Sequence, residues 1–125
     1  MTDYQAGIQL LRKMLGTDRA EAVVQKFRSL SPVFEQEAVS VVFGRTWSRE
    51  TMDLKTRSLC SIGILAALGR LNALHINFTL AMENGASLDE IVEVLLQTGI
   101  YAGYPAALDA LVLLDETVKP SNKKS

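Results

Sequence analysis

Apolar residues recur at helical spacing through most of the chain, and no stretch alternates as a half-buried strand would. Ile8, Leu11 and Leu15 form one stripe, which predicts a helix over Asp3 to Leu15 stopped by Gly16. Asp18 and Glu21 have the spacing of a capping box, opening a second helix through Val23, Val24 and Phe27. Ser31-Pro32 pairs an N-cap with a proline in the first turn, and the helix it opens is expected to reach Phe43. Gly44 to Met52 reads as a bent connection carrying Trp47. Asp53 is placed to cap a fourth helix ending at Gly69, whose nearly all-apolar second half predicts burial on every side. A helix over Leu71 to Asn84 follows, stopped by Gly85. Ser87 and Glu90 form a further capping box, ahead of Ile91, Val94, Leu95 and Thr98. Pro105 suits the first turn of a last helix reaching about Val118.

The pattern therefore predicts an all-α, single-domain bundle of six to seven helices over residues 1–118, with a disordered tail over 119–125. Its core is expected to join Ile62, Ile64, Leu65, Leu68, Val94, Leu95, Leu111 and Leu114. A chain of 125 residues can bury roughly 65–70% of its unfolded surface, enough for a core without staples.

Composition narrows the function classes. Thirteen basic residues nearly balance fourteen acidic ones, and no basic face is interleaved with aromatics, so nucleic-acid binding is not expected. The longest apolar run, Ile62 to Gly69, is far short of the ~20 residues that cross a bilayer. One cysteine makes no intrachain disulfide, and the start of the chain has no signal-peptide pattern, so a cytoplasmic protein is expected. An apolar fraction of 48% is high for a small monomer and suggests surface reserved for self-association.

Between Phe43 and Ala107 several motifs follow one another in order. They are Phe43-Gly44-Arg45-Thr46-Trp47, then Asp53-Leu54-Lys55-Thr56-Arg57, then Leu65-Ala66-Ala67-Leu68-Gly69-Arg70. Asn84-Gly85, Glu93 to Gln97 and Tyr101-Ala102-Gly103-Tyr104-Pro105 complete the series. Together they resemble the carboxymuconolactone decarboxylase family, the cofactor-free branch of the alkylhydroperoxidase-D-like fold. The resemblance implies a lyase or isomerase acting on a small carboxylated lactone or enol acid, as in aromatic-compound catabolism. It implies no metal, no organic cofactor, and assembly into trimers or hexamers, with the helix bearing Leu108 to Leu114 near a subunit boundary.

Loss of carbon dioxide from such an acid drives electrons into an unsaturated carbonyl system. The site must hold an anion, donate to the developing oxyanion and return a proton to carbon. A positioned oxyanion donor is worth roughly 3–4 kcal/mol and a general acid about 10²–10⁴ in rate. The family pattern places a glutamate where Arg45 stands and a histidine where Asn77 stands. His75, two positions before Asn77, lies about 200° round the helix and does not simply replace it. Asparagine can donate to an oxyanion but carries no proton to shuttle.

The candidate catalytic residues are accordingly Arg57, Asn77 and Arg45, with Trp47, Arg49, His75, Tyr101 and Tyr104 as substrate contacts. Arg57 suits bidentate carboxylate binding, although a salt bridge with Glu50 or Asp53 would explain it as well. Aromatics at helical spacing are more often core residues than pocket walls, and that reading stands beside the site role for all three. Cys60 reads as a small buried hydrophobe, and the Cys-x-x-Cys pair of the hydroperoxidase branch is replaced by Arg70 and Ala73, so thiol peroxidase activity is not expected. One histidine and one cysteine do not make a metal site. The competing reading is an oligomeric protein of the same fold that binds a small acid, or assembles with partners, without turnover.

Overall fold

Thr2 opens the first helix, α1 (Asp3–Leu15). Its hydroxyl accepts from the Gln5 amide at 3.1 Å while the Gln5 side chain accepts from the Thr2 amide at 2.9 Å. The structure is a computed structural model and describes residues 1–119. The expected disordered tail therefore lies outside the described residues, except for Lys119, whose Nζ pairs with Asp115 at 2.9 Å. The chain divides after Asp53 into two compact helical units. No strand occurs among the described residues.

The first unit holds α1, α2 (Thr17–Leu30) and α3 (Pro32–Glu37), which continues into wider π-type turns over Ala38–Trp47. Ser31 caps α3 as expected, its hydroxyl accepting from the Phe34 amide at 3.1 Å. The Asp18 box does not form: α2 starts at Thr17, so Asp18 already lies in the helical first turn, where its charge suits the positive helix end. The stretch expected to bend after Phe43 instead stays helical to Trp47, with Ala38, Val39 and Gly44 buried. Rather than the Ile8–Leu11–Leu15 stripe, α1 buries Gly7, Leu10, Leu11 and Met14, and it packs on the π-type segment.

Polar contacts also hold this unit. Glu35 is only 3% exposed, yet its carboxylate accepts from Arg28 Nε at 2.8 Å, from Arg28 Nη2 at 3.1 Å and from the Tyr4 hydroxyl. The Arg28 hydrogen bonds, then that of Tyr4, hold the Glu35 carboxyl down at about 2, from an ordinary 4.5. The stabilisation this gives is fully present above about pH 5 and lost as pH falls from 4.5 toward 2. Glu35→Gln is expected to lower the thermal midpoint by about 5 °C at pH 7, and by much less near pH 2, in melts followed by circular dichroism. Equal losses at both pH values would show that the carboxylate charge is not what matters.

The second unit holds α4 (Leu54–Leu68), α5 (Leu71–Glu83), α6 (Leu88–Ala102) and α7 (Tyr104–Val118). Ser87 and Glu90 form their capping box at the start of α6, and Pro105 sits in the first turn of α7, both as the sequence suggests. Gly85, at φ 101°, makes the turn out of α5 that a side chain would strain. Ile62, Ala66, Leu74, Phe78, Ile91, Leu95, Ala110 and Leu114 form the core.

Part of the expected core is corrected here. Ile64 is 59% exposed and Leu68 66%, so α4 is not buried on all sides. It packs on α5, α6 and α7 through one face only, with Ser58, Ile62 and Ala66 turned inward at i, i+4 and i+8. Cys60 points away from that face and is exposed, not a core hydrophobe.

Candidate functional site

The first turns of α4 carry the charge most suited to an acid ligand. Arg57 is half-buried, with its Nε shut off from solvent. Two contacts flank it in sequence. Lys55 Nζ reaches Glu90 Oε2 at 2.8 Å, and Ser58 Oγ accepts from Asn84 Nδ2 at 2.9 Å. The Lys55 contact, followed by the Ser87 amide, holds the Glu90 carboxyl below its ordinary range. Ser58 is wholly buried. α4 is thereby tied to the end of α5 and the start of α6.

Asn77 lies half-buried on α5, where its Nδ2 donates to the Ala73 carbonyl at 2.8 Å. One amide hydrogen is thus committed to the helix, leaving the second and the carbonyl oxygen for other partners. His75 is exposed, with Nδ1 2.9 Å from Thr117 Oγ1. The Thr117 hydroxyl donates its only proton to the Leu113 carbonyl at 2.8 Å, so His75 Nδ1 must be the donor. In the neutral ring Nε2 is then the acceptor.

Tyr101 lines an open groove of about 490 Å³ between α4 and α6. Cys60, Gly63, Ile64, Val94 and Thr98 are among its other walls, and no charged side chain takes part. Such a groove offers an anion no opposite charge, only neutral donors such as Gln97 and Tyr101. Tyr104 is exposed, its ring edge against Gly99.

The remaining candidates belong to the first unit. Arg45, its side chain 65% exposed, pairs with Asp3 through Nε at 2.8 Å, which raises its pKa further. Arg49 is exposed. Trp47 is half-buried against Phe43, ring centroids 6.2 Å apart. A hollow at the start of α1, lined by Tyr4, Gln5, Ile8 and Arg12 among others, contains none of the candidates.

The structure adds Ser58, and it gives Asn84, present in the motif series, a partner that motif spacing did not suggest. Their signal was faint: a serine on the apolar i, i+4, i+8 face of α4, and an asparagine that the Asn84-Gly85 motif places at the end of a helix without assigning it a contact. Among the described residues no three His, Cys, Asp or Glu side chains gather as a metal site requires. Nor is any helix among them long and apolar enough to cross a membrane.

A sequence model of the carboxymuconolactone decarboxylase family matches residues 32–116. The chain belongs to that family. It is 29% identical over 116 residues to a 4-carboxymuconolactone decarboxylase of Acinetobacter baylyi, an alignment covering 93% of this chain and 87% of that protein. It is 24% identical over 115 residues to the nitrosuccinic acid decarboxylase npaB of Metarhizium robertsii, covering 92% and 80%. An uncharacterised 15.0 kDa protein of Paracoccus denitrificans is 32% identical over 90 residues, covering 70% and 67%. Family and all-helical fold thus agree with the motif order between Phe43 and Ala107.

Proposed function

We propose that this chain is a cofactor-independent decarboxylase of a small carboxylated acid, with Arg57 as the anchor for a substrate carboxylate. The observation that carries this is the burial of Arg57. Of the four arginines in or beside the shared motifs, Arg45, Arg49 and Arg70 are exposed, whereas Arg57 is half-buried with its Nε out of solvent. A charge-assisted bond in that setting is stronger than one in water. Two relatives from different organisms are both named as decarboxylases, which supports the reaction class.

In this reading the guanidinium binds one carboxylate and the bond to another carboxyl carbon breaks, releasing carbon dioxide. The electron pair passes into the neighbouring unsaturated or electron-poor group, and a proton is returned to carbon. The second amide hydrogen of Asn77 would serve the developing negative charge. Asn77 cannot deliver the proton, which sets this chain apart from the family's histidine pattern. Isothermal titration with 4-carboxymuconolactone and with nitrosuccinic acid tests the anchor. At least one acid is expected to bind wild type, and heat from neither at millimolar concentration would remove the proposal's support.

The second reading, acid binding without turnover, draws on the engagement of Asn77 Nδ2 with its own helix. Binding with no carbon dioxide release would favour it.

Self-association as a trimer or hexamer belongs to the same proposal. Ile100, Tyr101, Tyr104, Leu108 and Val112 are all exposed on α6 and α7, more apolar surface than a monomer usually leaves open. Light scattering is expected to give a mass several times 13.7 kDa at micromolar concentration, and a monomer mass would refute this part.

A further inference from the structure

An amphipathic helix is rotated into place by its apolar stripe, but α4 has almost no such asymmetry. Ile64, Leu65 and Leu68 on its outer and lateral faces are as apolar as Ile62 and Ala66 on its inner face. Hydrophobic burial alone leaves the rotation of α4 weakly specified. Rotation matters here, because each residue of slip moves a side chain about 100° round the axis. Such a slip would swing Arg57 away from its half-buried position.

The buried serine resolves the degeneracy. Ser58 is wholly buried on the inner face, and its Oγ accepts from Asn84 Nδ2 at 2.9 Å. If α4 rotated, this hydroxyl would lose its partner inside the core, or Ser58 would give up its place to an apolar neighbour. A buried polar group left unsatisfied is destabilising and one turned out to solvent forfeits the bond, so only the observed rotation keeps the contact. Single buried polar groups that fix register are known from helical assemblies. Asn84 is well placed for this role. It ends α5, where its amide N–H turns back to the Leu80 and Met82 carbonyls, so its side chain projects from a fixed backbone. The Lys55–Glu90 pair, half-exposed on both sides, is the weaker partner tether.

We infer that Ser58 and Asn84 are positioning residues: their hydrogen bond sets the rotation of α4 and so aims the guanidinium of Arg57. The inference rests on the reading of Arg57 as the carboxylate anchor, and it deepens that reading by naming what orients the anchor.

The test uses full-length protein labelled with ¹⁵N-arginine, comparing wild type, Ser58→Ala, Asn84→Ala and the double variant. The readout is solvent exchange at the Arg57 Nε–H, with backbone amides of Ile62 and Leu95 as the measure of general stability. In each single variant the Nε–H is expected to exchange at least ~10-fold faster while the core amides stay protected. The double variant should be no worse than Asn84→Ala, because Ser58 has no Asn84 amide left to accept from once that side chain is gone. Asn84, only half-buried, gives a foldable variant should Ser58→Ala fail to fold. Wild-type exchange at Arg57 Nε–H in a folded single variant overturns the inference and leaves the functional reading intact. Unchanged acid binding by Arg57→Ala would instead overturn the functional reading and leave the exchange result standing.

Discussion

Alanine at Gly7 or at Gly44 is expected to unfold the first unit, at a cost of about 3 kcal/mol or more. A Cβ added at Gly7 would overlap the Val39 carbonyl oxygen, and one at Gly44 would overlap the carbonyl oxygen of Asp3. Both obstacles are backbone, so no rotamer change relieves them. α1 and the π-type segment would have to separate, exposing Leu10, Leu11 and Val39 together. The two glycines are complementary halves of one close approach, each admitting the other helix's carbonyl. Gly63→Ala is the control, because its Cβ would stand 3.4 Å from Val94 Cγ1 and 3.7 Å from Thr98 Oγ1, in ordinary contact. There the gain in helix propensity, up to about 1 kcal/mol, should leave stability unchanged or raised. Urea unfolding followed by Trp47 fluorescence reports on the first unit directly. A wild-type midpoint for Gly7→Ala would mean that the close approach is not required.

These contacts mark the limit of what the sequence discloses. Helix starts were legible wherever a cap acts locally: Ser31 with Pro32, Ser87 with Glu90 and Pro105 all do what their spacing suggests. The start of α2 was not, because Gly16 begins it without a side-chain cap and takes Asp18 inside the helix. The π-type turns left no mark in composition; Val39, Val41, Val42 and Phe43, interrupted by Ser40, cannot tell 3.6 residues per turn from a wider turn. The outer face of α4 misled for a related reason. Apolarity records that Ile64 and Leu68 tolerate burial, not that a partner within this unit covers them. Of the candidate site, Arg57 could be picked out by motif, while the anchoring of Ser58 by Asn84 joins positions 26 residues apart and no local spacing reveals it. The glycine contacts are of the same kind, since Gly7 meets Val39 and Gly44 meets Asp3 only once the unit has folded.

Arg57→Ala is the functional substitution with the largest expected effect. Removing one partner of a buried, charge-assisted pair costs roughly 2–5 kcal/mol, or about 30-fold to several thousand-fold in the dissociation constant. Arg57→Lys should recover only part of this, because an ammonium does not reproduce the bidentate fork. Arg45→Ala should change binding little if its main partner is the exposed Asp3, a pair worth at most about 1 kcal/mol. The ordering Arg57 before Arg45 follows from burial alone, and it reverses if the site is built on the π-type segment.

Carbon dioxide release separates a decarboxylase anchored by Arg57 from a protein that only binds the acid. Purified wild type and Arg57→Ala are each given 4-carboxymuconolactone and nitrosuccinic acid without added metal or cofactor, and evolved gas is measured against an enzyme-free control. Wild type is expected to release carbon dioxide from at least one of the two acids, with kcat/KM falling at least ~30-fold in Arg57→Ala of unchanged helical content. Release that is equal in wild type and Arg57→Ala would contradict the assignment of the anchor, and no release from either acid by wild type would contradict the claim that this chain is a decarboxylase of such acids.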